Sequence, residues 1–400
     1  MNPPRVKSLA RIPRGVWVLG FVSLFMDTSS EIIHSILPMF LVGVLGLPVI
    51  SVGLIEGIAE ATSQVTKAFS GAVSDRLGKR KLLAVLGYGL AAATKPIFPL
   101  AQGMGEVLLA RFVDRVGKGI RGAPRDALIA DLAPEGLRGA SFGLRQALDS
   151  VGAVAGPLLA VVLMALTADN FRAVMWVAVI PAVVSVALLV RGIEETAPVK
   201  SEEPRGHPFR GKDWLDLGRP FWMFVATAVA LMVPRFSEAF LLLRAQGLGL
   251  RDDLVPLVFV VMNVVFALTS FPAGSLSDRI GRKSLVAVGF GLLVVSHLVL
   301  AVAPSPLVVF AGAALWGLHL GLTQGVFSAI VADVAPVRLR GTGFGLFNMA
   351  TGVAMLIGSV AAGALWDGYG PAFPFALAAA VTAVALVVFL IIPMGGGRRG

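Results

Sequence analysis

The stretch Gly71-Ala-Val-Ser-Asp75-Arg76-Leu-Gly78-Lys79-Arg80 returns later in the chain as Gly274-Ser-Leu-Ser-Asp278-Arg279-Ile-Gly281-Arg282-Lys283. Both copies read Gly-x-x-x-Asp-Arg-x-Gly-basic-basic, and each copy stands between two apolar runs. Asp75 and Asp278 are 203 positions apart in a chain of 400 residues. A motif that recurs after half the length predicts a chain built from two similar halves.

The composition predicts a polytopic membrane protein. Hydrophobic residues make up 56% of the chain and charged residues only 14%, and the mean hydropathy is +0.84. A soluble domain carries about 25% charged residues. Apolar runs of about 20 residues, long enough to cross a bilayer and too long for barrel strands, recur throughout. We therefore predict an all-α fold with twelve membrane-spanning helices, at roughly 16–41, 49–72, 82–101, 105–131, 140–167, 171–190, 220–246, 252–274, 284–302, 305–334, 341–364 and 371–393.

A second repeat supports the division into halves. Ala130-Asp131-Leu-Ala-Pro134 matches Ala332-Asp333-Val-Ala-Pro336 at an offset of 202 positions. The polar, proline-containing segment 191–219 reads as a linker. The predicted domains are an N-terminal six-helix half (1–190), the cytoplasmic linker (191–219) and a C-terminal six-helix half (220–400). Parallel repeats of this kind predict a central site and alternating access by rocking.

The net charge of +10 does not indicate nucleic-acid binding, because the surplus lies in short segments between the predicted spans. Lys and Arg near span ends mark the cytoplasmic side of a membrane protein. The basic segments all fall on one side if the count of twelve is right, which places both termini and the linker in the cytoplasm. One exception is 244–253, where Arg244 and Arg251 lie among the less charged, opposite-side connections.

These repeats resemble the loop motif of the major facilitator superfamily of secondary transporters, and the resemblance covers nearly the whole chain. In that family the motif tunes the equilibrium between inward-open and outward-open states. The resemblance implies a fold of twelve helices in two pseudo-symmetric six-helix halves, in a bacterial inner membrane. It also implies a conformational switch at Gly71, Asp75, Arg76, Gly78, Lys79, Arg80, Gly274, Asp278, Arg279, Gly281 and Arg282.

Ionisable residues within the predicted spans are the candidate functional residues, since an unpaired charge at membrane depth costs at least about 2.5–3 kcal/mol. The first span places Asp27, Glu31 and His34 on one helix face, at spacings of four and three. A carboxylate in a low-dielectric site can take up and release a proton near neutral pH. We therefore predict proton coupling at Asp27 and Glu31, with the alternative that the acids only neutralise bases in a structural network.

The fourth span carries a cationic stripe that predicts binding of a substrate with anionic groups. Its charges recur every three or four residues, whereas the equivalent span of the second half has Trp316 opposite Asp114 and Leu320 opposite Lys118. Relatives in the superfamily carry an arginine where Arg111 stands, and there it is tied to proton coupling. The predicted substrate-binding residues are His34, Glu56, Glu60, Lys67, Arg111, Asp114, Arg115, Lys118, Arg121, Arg235 and Glu238.

The fifth span resembles the motif typical of the superfamily's antiporters. The pattern is Gly143, eight residues, Gly152, three residues, then Gly156-Pro157, with Ala160 and Val161 in place of the usual closing glycines. Such glycines permit tight helix packing, and the proline predicts a kink. The seal formed there is thought to oppose leak in exporters. Ordinary small-residue packing is the alternative.

Together these features predict a proton-coupled antiporter that exports a small solute with anionic groups. The partners are the solute, protons and membrane lipids, without nucleic acid, and we expect a monomer. The chain shows no catalytic constellation and no phosphate-binding Gly-x-x-x-x-Gly-Lys-Ser/Thr loop, so an enzyme or an ATP-driven pump is not expected and no cofactor is expected. The alternatives are a transporter of a divalent metal or metal chelate, with Asp27, Glu31 and His34 as ligands, and a non-transporting membrane sensor.

Overall fold

The computed structural model describes residues 11–195 and 216–392, without the side chains of 71–73, 75, 76, 135, 274, 275 and 278. Within these residues the chain is helical and contains no strand, which confirms the predicted fold class. A π-helical turn (Phe40–Val44) and two 3₁₀ turns (Glu135–Leu137 and Val337–Leu339) adjoin the α-helices. In chain order these are α1 Arg14–Met39, α2 Val49–Leu77, α3 Arg80–Thr94, α4 Ile97–Leu100, α5 Met104–Leu132, α6 Arg138–Leu166, α7 Phe171–Val177, α8 Val179–Gly192, α9 Gly218–Met232, α10 Ala239–Gly247, α11 Leu257–Ile280, α12 Arg282–Val302, α13 Pro306–Val334, α14 Arg340–Tyr369 and α15 Phe373–Ile391.

Each predicted span coincides with one helix or with two consecutive helices. The third, sixth and seventh spans are interrupted where the sequence analysis predicted continuous helices. Proline explains the breaks, because it has no amide hydrogen to donate to the carbonyl four residues earlier. Pro96 follows the end of α3, Pro181 follows the α7–α8 junction, and Pro234 lies between α9 and α10.

Eight of the described helical segments are long and apolar enough to cross a membrane. The helices α2 and α5 are 29 residues long, but they carry the charged residues that the sequence analysis singled out. The first part of the seventh span and most of the eighth span appear as the shorter apolar stretches Gly218–Met232 and Leu257–Ala273. Both helices are therefore long enough to cross a bilayer, and their charged residues are what separates them from the eight apolar segments.

The described residues form two compact units, 11–34 with 69–195 and 35–68 with 216–392. A buried apolar cluster fills unit one and includes Val16, Leu19 and Val22 of α1. Helices α3 and α5 approach closely through Gly87 and Gly117, where a Cβ on Gly87 would lie 2.7 Å from the carbonyl oxygen of Gly117. Small residues permit such close helix packing in membranes.

In unit two, the second span packs on α14 through glycines. A Cβ added to Gly57 would lie 3.0 Å from the Cα of Leu356, and one added to Gly363 would lie 2.6 Å from the Cα of Ile50. The carboxylate of Asp367 accepts hydrogen bonds from the first two amides of α2, at 3.0 and 2.8 Å. An acid at a helix N-terminus satisfies amides that lack helical partners. This contact explains why 35–68 groups with the C-terminal residues.

Equivalent helix pairs in the two units pack in the same register. Gly87 of α3 contacts Gly117 and Arg121 of α5. At positions 202 residues later, Gly289 of α12 contacts His319 and Thr323 of α13. The third and fourth spans therefore pack together at positions that lie 202 residues before those at which the ninth and tenth spans pack, the same offset that the sequence repeat shows.

Candidate functional site

The candidate site lies in unit one, around the turn of α1 that carries Asp27 and Glu31. We call residues 27–31 the acidic turn. The Asp27 side chain is 25% exposed and that of Glu31 20% exposed, so both are largely shielded but not sealed off. One Oε of Glu31 lies 3.4 Å from Nδ1 of His34, one helical turn later. The predicted one-face arrangement of these three residues thus brings Glu31 and His34 together.

Two glycines of the predicted antiporter motif pack directly against this acidic turn. A Cβ on Gly152 would lie 2.8 Å from the carbonyl oxygen of Leu24 and 3.1 Å from the Cβ of Asp27. A Cβ on Gly156 would lie 2.5 Å from the Cβ of Glu31. Helix α6 can approach α1 this closely only because both positions lack a side chain.

The remaining motif positions behave differently. No atom lies within 4 Å of the place where a Cβ on Gly143 would stand, so this glycine makes no comparable approach. Pro157 is buried within the helix α6, which runs without a break from Arg138 to Leu166.

The arginine that reaches the acidic turn is Arg121 of α5. Its Nη2 lies 3.5 Å from Oδ1 of Asp27, and its guanidinium stands 4.6 Å from the centre of the Tyr88 ring. The Arg121 side chain is 5% exposed, yet its Nη1 has no hydrogen-bond partner among the described residues. A buried guanidinium with one long contact to a carboxylate and one unpaired donor has capacity to bind a further acceptor.

A second ion pair lies deeper in unit one and was missed by the sequence analysis. Nζ of Lys95 donates to Oδ1 of Asp114 at 2.9 Å and to Oγ of Ser30 at 2.9 Å. Both charged side chains are almost fully buried, at 1% and 4% exposure. The signal in the sequence was a single lysine inside the apolar run 82–101, directly before Pro96. Asp114, predicted to bind substrate, is therefore already paired.

The other predicted charges of α5 divide into buried and exposed groups. Arg111 is buried, and so is Arg115, whose Nε has no hydrogen-bond partner among the described residues and lies 3.9 Å from a carboxylate oxygen of Asp114. Lys118 is exposed. The charges of the predicted stripe therefore do not all face one accessible surface, because Arg111 and Arg115 are enclosed within unit one.

A third set of charges, near the end of α5, includes Arg125 and Asp126, whose side chains lie 3.2 Å apart. Nη1 of Arg125 donates to Oγ of Ser23 at 2.9 Å. Nη1 of Arg145 donates to a carboxylate oxygen of Asp149 at 2.6 Å. The same Nη1 of Arg125 lies 3.9 Å from a carboxylate oxygen of Asp149, so these contacts connect α5 with α1 and with α6.

The remaining predicted substrate residues lie in unit two. Nη2 of Arg235 lies 3.4 Å from Glu238, in the break between α9 and α10. Glu60 accepts a hydrogen bond from Gln64 at 2.7 Å. Glu56 is buried, and Lys67 is exposed. These five residues do not belong to the unit that holds the acidic turn.

The buried histidines differ from one another. His319 Nδ1 lies 2.8 Å from the carbonyl oxygen of Gly289, which makes it a hydrogen-bonded packing residue. Neither ring nitrogen of His297 has a hydrogen-bond partner among the described residues. It packs instead between aromatic rings, 5.5 Å from Phe236 and 5.1 Å from Trp316 between centroids. In the described part of the chain, no group of three or more His, Asp or Glu side chains is placed to hold a metal ion.

The repeated loop motif forms matching contacts in each unit. Arg80 pairs with Asp131, and Arg282 pairs with Asp333, which joins the loop motif to the second repeated motif in both cases. Gly78 and Gly281 have φ values of +62° and +88°, which L side chains rarely adopt.

A lysine is the second residue of the helix after each loop, and it makes the same kind of contact in both units. Nζ of Lys81 donates to the carbonyl oxygen of Val190 at 3.1 Å, and Nζ of Lys283 donates to those of Leu390 and Ile392 at 2.8 Å. The predicted switch residues Lys79 and Arg279 are exposed. The side chains of Gly71, Asp75, Arg76, Gly274 and Asp278 lie outside the described residues.

Comparison with known proteins identifies the family. A sequence model described as Major Facilitator Superfamily matches residues 19–250 and 236–397. The chain belongs to the major facilitator superfamily. An uncharacterized MFS-type transporter of Methanocaldococcus jannaschii is 31% identical over 369 residues, which cover 89% of each chain.

Solved structures of the superfamily share the fold at low sequence identity. A nucleoside transporter, NupG, superposes with a TM-score of 0.76 at 12% identity, covering 94% of this chain and 98% of its own. A POT family transporter crystallised with 5-aminolevulinic acid gives a TM-score of 0.78 at 14% identity, covering 95% and 96%.

Membership of the superfamily establishes the coarse function. The chain is an integral membrane protein of a transporter family, which points to transport rather than to catalysis. The superfamily fold also accounts for the two repeats, each of which contains the same loop contacts.

Proposed function

We propose that this superfamily member is a proton-coupled antiporter that exports a small solute with anionic groups by alternating access between its two six-helix halves. The proposed location is a bacterial inner membrane, with both termini and the linker in the cytoplasm, in keeping with the positive segments. Protons load on Asp27 and Glu31, and the solute's anionic group binds at the exposed side of the fourth-span cationic residues.

The contact between Arg121 and Asp27 is the observation that carries this proposal, because it puts a cation that can bind an anionic group beside a carboxylate that can take up a proton. The pair is weakly made, at 3.5 Å, and Arg121 keeps an unpaired donor although it is buried. Lys118 adds a further positive charge near both acids of the turn. An anionic group can therefore compete with Asp27 for Arg121 without breaking a strong bidentate pair.

The charges of the solute decide the sign of the coupling. If an anion replaces Asp27 at Arg121, Asp27 loses a cation and gains a negative neighbour, and both changes favour proton uptake. A cationic group placed against Asp27 or Glu31 has the opposite effect and releases a proton. Exchange against protons therefore requires a solute that carries a cationic group beside its anionic group.

The fifth-span glycines support export. They bring α6 against the backbone of the acidic turn on the side of Leu24, Thr28 and Ile32. Such packing excludes water from one side of the carboxylates. Protons then have no water path on that side, which opposes uncoupled proton leak. This is the physical counterpart of the resemblance to the superfamily's antiporters.

The test is proton release from purified protein in detergent on addition of solutes. The panel contains zwitterionic amino compounds, purely anionic organic acids, cationic drugs and divalent metal ions. We expect release with a zwitterionic compound, and loss of release in Asp27→Asn or Glu31→Gln. Asp169→Asn is the matched control, since this exposed carboxylate lies in the loop after α6 and outside the site.

Other outcomes would redirect the proposal. Proton uptake with organic acids would indicate symport. Release with a divalent metal alone would support the metal alternative. Binding of a solute without any proton change or flux in proteoliposomes would overturn proton coupling and favour a sensor.

A further inference from the structure

We propose that Lys95 is a positioning residue of the proton site: its contacts with Asp114 and Ser30 hold the acidic turn in place. The inference rests on the proposed function, since it treats Asp27 and Glu31 as the coupling acids. Lys95 touches neither acid, so its role is to fix the helix that carries them.

The cost of the buried pair is the first reason for this inference. Lys95 and Asp114 are enclosed in unit one at 1% and 4% side-chain exposure. Removing two charges from water is expensive, and well-packed apolar residues of similar volume often serve stability as well or better. A buried ion pair often adds no stability compared with apolar residues of the same size, so stability alone does not explain why Lys95 and Asp114 are present.

The second unit shows that the fold does not require an ion pair at this place. His297 and Trp316 lie 202 positions after Lys95 and Asp114, the offset at which the helices of the two units pack in the same register. There the two side chains meet as rings, at 5.1 Å between centroids and nearly perpendicular. The seventh-span residue that contacts them is Phe236, an apolar ring.

The third contact of Lys95 shows what the pair positions. Its Nζ donates to Ser30, the residue directly before Glu31, at 2.9 Å. Gly156 supports the same turn from α6, where it contacts Thr28, Glu31 and Ile32. The acidic turn is thus held by a close glycine contact from α6 and by a charged hydrogen bond from the end of α3.

The charged groups that face the acidic turn come from three helices. His34 belongs to α1 and Asp149 belongs to α6. The groups of α5 are Arg115, Lys118, Arg121 and Arg125. A shift of the turn changes every one of these distances. The consequence is a change in the pH at which protons exchange. The solute's anionic group is less affected, because it can bind Nη1 of Arg121, which has no hydrogen-bond partner among the described residues.

The test replaces the pair by apolar residues of similar size, in Lys95→Met/Asp114→Leu. We expect this variant to fold, with a shift of at least 0.5 pH unit in the midpoint of solute-induced proton release, or a tenfold loss of exchange. The solute Kd should change less than threefold. The conservative variant Lys95→Arg keeps a cation that can donate to Asp114 and Ser30, and it should shift the midpoint less than the apolar variant does. A folded apolar variant with the wild-type pH profile would overturn the inference.

A second readout does not depend on transport. The chain contains no cysteine, so Glu31→Cys supplies a single reporter whose rate of reaction with a maleimide measures access to the acidic turn. We expect at least a threefold change in this rate when the apolar pair is added, and none when His297→Asn/Trp316→Phe is added in unit two. An unchanged rate with the apolar pair would overturn the inference. If the wild-type protein releases no proton with any solute, the proposed function fails, and this readout still decides the role of Lys95.

Discussion

Replacing Gly156 by alanine should force α1 and α6 apart. The added Cβ would stand 2.5 Å from the Cβ of Glu31, 2.9 Å from the carbonyl oxygen of Thr28 and 3.1 Å from the amide nitrogen of Ile32. Carbon atoms rest about 3.5–4.0 Å apart, so the helices must separate by roughly 1 Å. Overpacking of this kind costs about 1–3 kcal/mol, and alanine returns about 0.5–1 kcal/mol through its better helix propensity.

The expected net loss is at most about 2.5 kcal/mol. Thermal unfolding in detergent should show it as a midpoint lower by up to about 10 °C, at about 2–4 °C per kcal/mol for a unit of this size. Gly143→Ala is the matched control, because it belongs to the same motif and helix but meets no atom within 4 Å. It should leave the midpoint unchanged or raise it. Equal midpoints for both variants would refute the packing argument.

Three further substitutions test contacts away from the site. Asp367→Ala removes the acceptor for the first two amides of α2. The loss of this helix cap costs about 0.5–2 kcal/mol, so hydrogen exchange of those amides should become roughly 2- to 30-fold faster. Unchanged exchange would show that water replaces the carboxylate. Gly281→Ala should cost about 1–2 kcal/mol because φ is +88° there, whereas Gly291→Ala within α12 has free space and should not destabilise the protein. Arg244→Met leaves three carbonyls at the end of α12 without their donor, and the expected loss of about 2–3 kcal/mol would be contradicted by a wild-type unfolding midpoint.

Helix placement followed from the sequence because apolar run length and repeated loop motifs are both local signals. The predicted spans fall on helices. The breaks in the third, sixth and seventh spans lie at or next to prolines, which the sequence analysis did not use to predict where helices end. Arg244 is a different case. It was an exception to the charge pattern, and the structure shows it buried against the carbonyls that end α12. Only the fold could show that this arginine is a capping group and not a loop charge.

The partners of the candidate residues were harder to predict. Helical spacing placed Asp27 and Glu31 on one face, but it could not show that Arg121 reaches Asp27. Spacing also missed Lys95, whose partners Ser30 and Asp114 lie on two other helices. Periodicity gives the face of one helix, whereas the pairing of charges depends on how several helices pack.

The paired loop contacts bear on how the chain arose. Arg80 with Asp131 and Arg282 with Asp333 are each 51 residues apart. In each repeat a lysine also donates to a carbonyl oxygen at the end of the last helix. Independent origins would have to reproduce the same spacing and the same three charges. Duplication of an ancestral gene for six helices accounts for them at once. The two descendants kept the peripheral contacts and diverged inside, where one acquired or retained Lys95 and Asp114 and the other His297 and Trp316. At this interior position one half therefore holds a charged pair, and the other half holds two rings packed together.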